Sequence, residues 1–177
     1  MPSRVGVVPF RWDVRRREQL GRLLDVPAPR RAYLWVPTRF RDLFPEVRSC
    51  AVRVLARAGD ARLVFVGRSP ENLFDYLTGA LAHTSWADRC DLLSVSIPWG
   101  DVHALLPRPM VEGLHAHFRA LGLSPAEIAS SPRPVALVDL VSSGTTFGSL
   151  SATLATWARH EGVDPAAVRR RLRFVGI

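Results

Sequence analysis

The stretch that decides the fold is Pro134-Val-Ala-Leu-Val-Asp139-Leu-Val-Ser-Ser-Gly144-Thr-Thr-Phe-Gly-Ser149. Val135 to Leu140 is a short apolar run with β-branched members, closed by Pro134 on one side and a polar turn on the other. That pattern suits a strand buried on both faces. Asp139 interrupts the run one residue before its end. Ser142, Ser143, Gly144, Thr145 and Thr146 follow, small residues rich in hydroxyls. From Phe147 the period becomes helical, with Leu150, Leu154 and Trp157 at spacings of four and three. The predicted order is strand, hydroxyl-rich turn, helix start.

That order has a chemical meaning. The first turn of a helix presents backbone N–H groups that lack an internal partner, and the helix dipole adds about half a positive charge there. Glycine lets the backbone bend and come close to a ligand. With hydroxyl donors alongside, the turn reads as a phosphate cradle. The plainer reading is a strand–helix turn whose Ser or Thr caps the helix.

Working outward, the same arrangement occurs earlier. Leu63 to Val66 is a second buried strand, followed by Gly67, Arg68, Ser69 and Pro70. A helix then starts at Glu71 and buries Leu73, Phe74, Leu77 and Leu81. Arg68 and Ser69 stand where an anion could meet that helix start; the plainer alternative makes Ser69 its N-cap. A third strand spans 92–97, with Trp99 beyond its carboxyl end, where it could stack on a flat base or simply be buried. Leu172 to Ile177 completes the set. Strands alternating with helices predict an α/β fold, an open, mostly parallel twisted sheet with helices on both faces.

The rest of the chain divides at residue 44. Residues 1–44 are a basic N-terminal arm, with Arg15, Arg16 and Arg17, a short strand over 33–36 and Pro37 closing it. The core, 45–177, opens with an amphipathic helix over 45–58 whose stripe is Val47, Cys50, Ala51, Val54, Leu55 and Ala58, with Pro45 in its first turn. Residues 99–131 carry a helical insertion containing Met110, Leu114, His117, Phe118 and Leu121. A further helix covers 146–161, and another starts at Pro165.

The run Val-Ala-Leu-Val-Asp-Leu-Val-Ser-Ser-Gly-Thr-Thr resembles the phosphoribosyl pyrophosphate (PRPP) motif of the type I phosphoribosyltransferases. The family pattern is an apolar strand, two adjacent acids, two apolar residues, two small residues, then Gly-Thr-Thr or similar. Matched on Gly144, the second acid is Asp139, while the first falls on Val138, a departure. The resemblance implies that Asp139, the catalytic-site candidate, holds a ribose hydroxyl, and that Ser142, Ser143, Gly144, Thr145 and Thr146 hold the 5-phosphate. It assigns Gly67, Arg68 and Ser69 to pyrophosphate, with Mg²⁺ neutralising the charge. Trp99 falls near the acceptor base, and residues 1–44 or 99–131 are the candidates for the hood that selects the acceptor. The implied activity is transfer of phosphoribosyl between PRPP, or a ribonucleotide plus pyrophosphate, and a nitrogenous base. With Val138 in place of an acid, the alternative is a non-catalytic nucleotide- or PRPP-binding regulator. A homodimer fits either expectation.

Composition bounds these readings. Of 177 residues 47% are hydrophobic and 23% charged, ordinary for one well-buried domain. No apolar run approaches the roughly 20 residues that span a bilayer, and no signal peptide is evident, so the expectation is a cytoplasmic protein with no membrane partner. Cys50 and Cys90 have no metal-ligand spacing. The net charge is +8, carried by 24 arginines without a lysine. Such a charge favours an anionic ligand, and it leaves an Arg-rich RNA-binding module as a second alternative. Gly-x-Gly-x-x-Gly, Gly-x4-Gly-Lys and Gly-x-Ser-x-Gly are absent, which removes dinucleotide, Walker-type and hydrolase-elbow readings. His115 and His117 are two apart, on different faces of a helix, and do not make a metal pair.

Overall fold

The computed structural model describes residues 36–97 and 100–177, with side chains from residue 45 onward. Four strands form one all-parallel sheet: β1 Arg62–Val66, β2 Cys90–Leu93, β3 Val135–Asp139 and β4 Leu172–Gly176. Their spatial order is β2-β1-β3-β4. The helices are α1 Val36–Ala58, α2 Glu71–Ala80, α3 Val102–Leu105, α4 Arg108–Ala120, α5 Pro125–Ser130, α6 Thr145–His160 and α7 Pro165–Arg171. Parallel neighbours need long crossovers, and helices supply them. The α/β open sheet expected from the alternation is therefore present. The chain divides into two units, 1–48 and 49–177. The sheet and α2–α7 belong to the second.

The strands alternate sides as their period of two requires. Val64, Val66, Val135 and Leu137 share one cluster with Phe118, Leu123, Ile128, Leu150, Leu154, Trp157 and Val168, which come from α4 to α7 and the loop before α5. Phe65 points the other way and meets Phe74 of α2 edge to face, with ring centroids 5.7 Å apart. Helices thus cover both faces. β3 is buried at all five positions, which explains why it reads as a continuous apolar run. Trp157 is 2% exposed at the centre of the larger cluster. Truncating such a residue to alanine removes about 3–5 kcal/mol.

Three expectations need correction. Val36 opens α1 instead of closing a strand over 33–36; residues 33–35 lie outside the described part. α1 starts well before Pro45, so that proline stands inside a helix, not in its first turn. An interior proline costs a backbone hydrogen bond, which is why the sequence places the helix start there. The third strand stops at Leu93, with Val95 and Ile97 packed against the core beyond it. Residues 100–131 lie within the β2-to-β3 crossover and carry α3, α4 and α5. Its last helix is held by a reciprocal capping box between Ser124 and Glu127.

Candidate functional site

The strand order reverses direction between β1 and β3. From β1 the chain moves outward to β2, and from β3 it moves outward the opposite way to β4. In open parallel sheets ligands collect at the carboxyl edge of such a switch point. The two turns singled out in the sequence, Gly67–Pro70 and Ser142–Thr146, follow β1 and β3 there. Phe65 pairs with Val138 in the register, so the turns begin side by side.

The second turn bounds a shallow open hollow lined by Asp139, Leu140, Val141, Ser142, Ser143, Gly144, Thr145, Thr146 and Phe147. Every residue expected to hold the 5-phosphate is among them. Gly144 caps α6 in the left-handed conformation, φ 77° and ψ 4°, and no side chain caps that helix. The plainer reading, a Ser or Thr N-cap, is therefore not the arrangement found. The first intrahelical bond runs from Gly148 N–H to Gly144 C=O at 3.1 Å. The amides of Thr145, Thr146 and Phe147 precede it, and by helix geometry they face outward. Ser143 and Thr145 hydroxyls are hydrogen-bonded to each other at 3.0 Å. The hollow thus offers amides, hydroxyls and a helix dipole to one small anion.

Asp139 is 7% exposed, and its Oδ1 accepts from Leu140 N–H at 2.7 Å. One carboxylate oxygen is thus tied to the chain, and the residue lines the hollow. Val138 is fully buried and stands in register between Phe65 and Val175. Strand alternation turns it to the face opposite Asp139. An ionised side chain at 138 would carry a severe desolvation cost. β4 continues its ladder into the turn, since Ile177 N–H donates to Asp139 C=O at 3.0 Å and Val141 N–H donates to Ile177 C=O at 3.1 Å.

At the first turn, Gly67 has φ 74° and its N–H donates to Leu93 C=O at 2.8 Å. A β-carbon there would stand 3.3 Å from Val95 O, so glycine suits both the angle and the space. Arg68 and Ser69 are exposed. Pro70, not Ser69, is the N-cap of α2, and it makes no side-chain cap bond. Trp99 lies outside the described residues.

The sequence reading missed how the crossover seats beside this edge. Gly100 N–H donates to Ser149 Oγ at 2.9 Å, Val102 N–H to Thr153 Oγ1 at 3.3 Å, and Thr156 Oγ1 to Asp101 Oδ2 at 2.6 Å. Ser149, Thr153 and Thr156 form a stripe at four and three spacing along α6, which was the available signal. Ser149 and Thr153 are buried polar residues, and these bonds satisfy them. Among the described residues no group of three His, Cys, Asp or Glu side chains could hold a metal ion, and no helix is long and apolar enough to cross a membrane. Comparisons with protein-family models, with curated proteins and with solved structures gave no match.

Proposed function

We propose that the chain binds a phosphorylated ribose ligand, PRPP or a ribonucleotide, at the β1–β3 switch point, as a phosphoribosyltransferase-like enzyme. The observation that carries this reading is the uncapped start of α6, with left-handed Gly144 and a run of hydroxyls around one hollow at the sheet edge. Ser142 to Thr146 would take the terminal phosphate, and Asp139 a ribose hydroxyl. Gly67, Arg68 and Ser69 would meet pyrophosphate from the adjoining turn. Mg²⁺ typically binds through one or two carboxylates and the phosphates of its substrate, and Asp139 is the carboxylate lining this hollow. The chain would contribute positioning and charge stabilisation for a ribosyl-cation-like transition state.

Titration calorimetry with PRPP and Mg²⁺ tests the reading. Asp139→Asn and Thr145→Val should each weaken binding by about tenfold to 150-fold, the usual loss for one hydrogen bond to a charged group. Unchanged heats for Thr145→Val would remove the phosphate assignment, and unchanged heats for Asp139→Asn the ribose assignment.

The burial of Val138 favours a second reading, a binder without turnover. The position is apolar, fully buried and on the wrong face for the hollow. Pyrophosphate release from PRPP with a panel of nucleobases decides between the two: release supports the enzyme, and binding without release supports the regulator.

A further inference from the structure

The crossover brings His103 and His115 together beside His160 at the end of α6. His103 Nδ1–H donates to Asp101 Oδ1 at 2.7 Å, and the carboxylate can only accept. The Nε2 of His103 then lies 3.0 Å from the Nε2 of His115. One hydrogen serves that contact. His115 stacks on Trp157, with centroids 3.8 Å apart and planes 3° apart, and His160 meets the His103 ring edge to face at 5.3 Å. Asp101 also accepts from Thr156, whose oxygen takes a second bond from Arg159 Nη2 at 2.8 Å.

We propose that residues 100–105 form a clasp on α6 that acid releases through the His103–His115 contact. If both rings carry a proton on Nε2, two N–H donors face each other across 3.0 Å and the bond becomes a repulsion. The groups around the pair are Asp101 on its own segment, His115 and Arg119 on α4, and Arg159, His160 and Glu161 at the end of α6. Arg119 is paired with Glu161 at 2.6 Å and lies over the Trp157 ring. Only Asp101 and Glu161 are negative among these, and each already has a partner. Burial, then His103, Arg119 and His160, push the His115 imidazole down to about 4, with Glu161 opposing. Burial alone would raise Asp101, but hydrogen bonds from Thr156 and His103 hold it below the ordinary carboxylate range. His115 is therefore neutral near neutrality, and the contact is a hydrogen bond. The clasp also donates Gly100 N–H to Ser149, one turn into the helix whose start lines the hollow. The proposal concerns the seating of 100–105 alone and stands whether or not the hollow binds a phosphate.

The test is an NMR titration of the full chain from pH 7.5 to 3.5, following the histidine rings and the amides of Gly100, Val102, Val64 and Ala136. The clasp predicts that His115 titrates near 4 and that Gly100 and Val102 move with the same midpoint while Val64 and Ala136 stay. In His115→Phe, which keeps a ring against Trp157, the Gly100 and Val102 step disappears. Titration of His115 near 6.5 with still amides would overturn the proposal. So would a common step at all four amides, which reports unfolding of the sheet. A shift of both rings with one equivalent of Zn²⁺ at pH 7.5 would overturn it in favour of a metal pair.

Discussion

Gly176 and Val141 are packed so closely that a β-carbon on Gly176 would stand 2.9 Å from Val141 Cγ2 and 3.4 Å from its Cβ. Val141 is β-branched and cannot swing its methyls freely. The end of β4 therefore sets where the hydroxyl-rich turn begins.

Gly176→Ala should lower stability by about 1–3 kcal/mol, the cost of overpacking. Urea unfolding measures it. Adding Val141→Ala should recover most of the loss, because the clashing methyls are gone. A double mutant no better than Gly176→Ala would show that the contact is not the cause.

Gly144→Ala meets a different obstacle. A β-carbon there finds nothing within 4 Å, yet φ is +77°. The cost is backbone conformation alone, about 1–2 kcal/mol. A much larger loss in urea unfolding would contradict this. Under the proposed function, affinity for PRPP should fall too, because the amides of the first turn of α6 shift as the backbone relaxes.

Cys90 is pushed up to about 11, by burial first and by Asp91 next to it second. The thiolate is the reactive form. Alkylation of Cys90 by iodoacetamide at pH 8 should be about a hundredfold slower in the folded chain than after denaturation. Equal rates in the two states would show that β2 does not shield it.

The His115 depression has a sign that stability must follow. Folding lowers this group from 6.5 to about 4, so the folded state resists protonation there. The contribution is intact above pH 6.5 and disappears as pH falls toward 4. Urea midpoints should decline across that window for the natural chain and decline less for His115→Phe. Parallel declines would place the acid sensitivity elsewhere.

Much of this arrangement is legible in the sequence. β3 and its turn announce themselves because burial on both faces leaves an unbroken apolar run, and hydroxyls and glycine then mark the bend. α6 shows its buried side as Leu150, Leu154 and Trp157. The limits are equally physical. Pro45 looks like a helix start, since proline is favoured in a first turn and penalised inside; here α1 tolerates it. The histidine cluster was invisible for another reason. Spacing two apart separates His115 from His117 on one helix, but it is silent about His103, which reaches His115 from another element. Periodicity reports neighbours within a helix, and this contact lies between helices. Val138 was seen as a missing acid, yet only the register shows that its place faces away from the hollow.

The pairing of Arg62 with Val135 joins residues roughly seventy positions apart in the chain. Closing such a span before any contact rewards it slows assembly. Stopped-flow refolding should therefore run in milliseconds to seconds, and a microsecond phase that completes the sheet would contradict it. β3 also needs both neighbours, β1 from early in the chain and β4 from late. The hydroxyl-rich turn thus rests on strands from both ends of the core. A ligand captured there would serve as a gauge of completed folding, and any truncation that removes β4 would silence it without touching a single residue of the hollow.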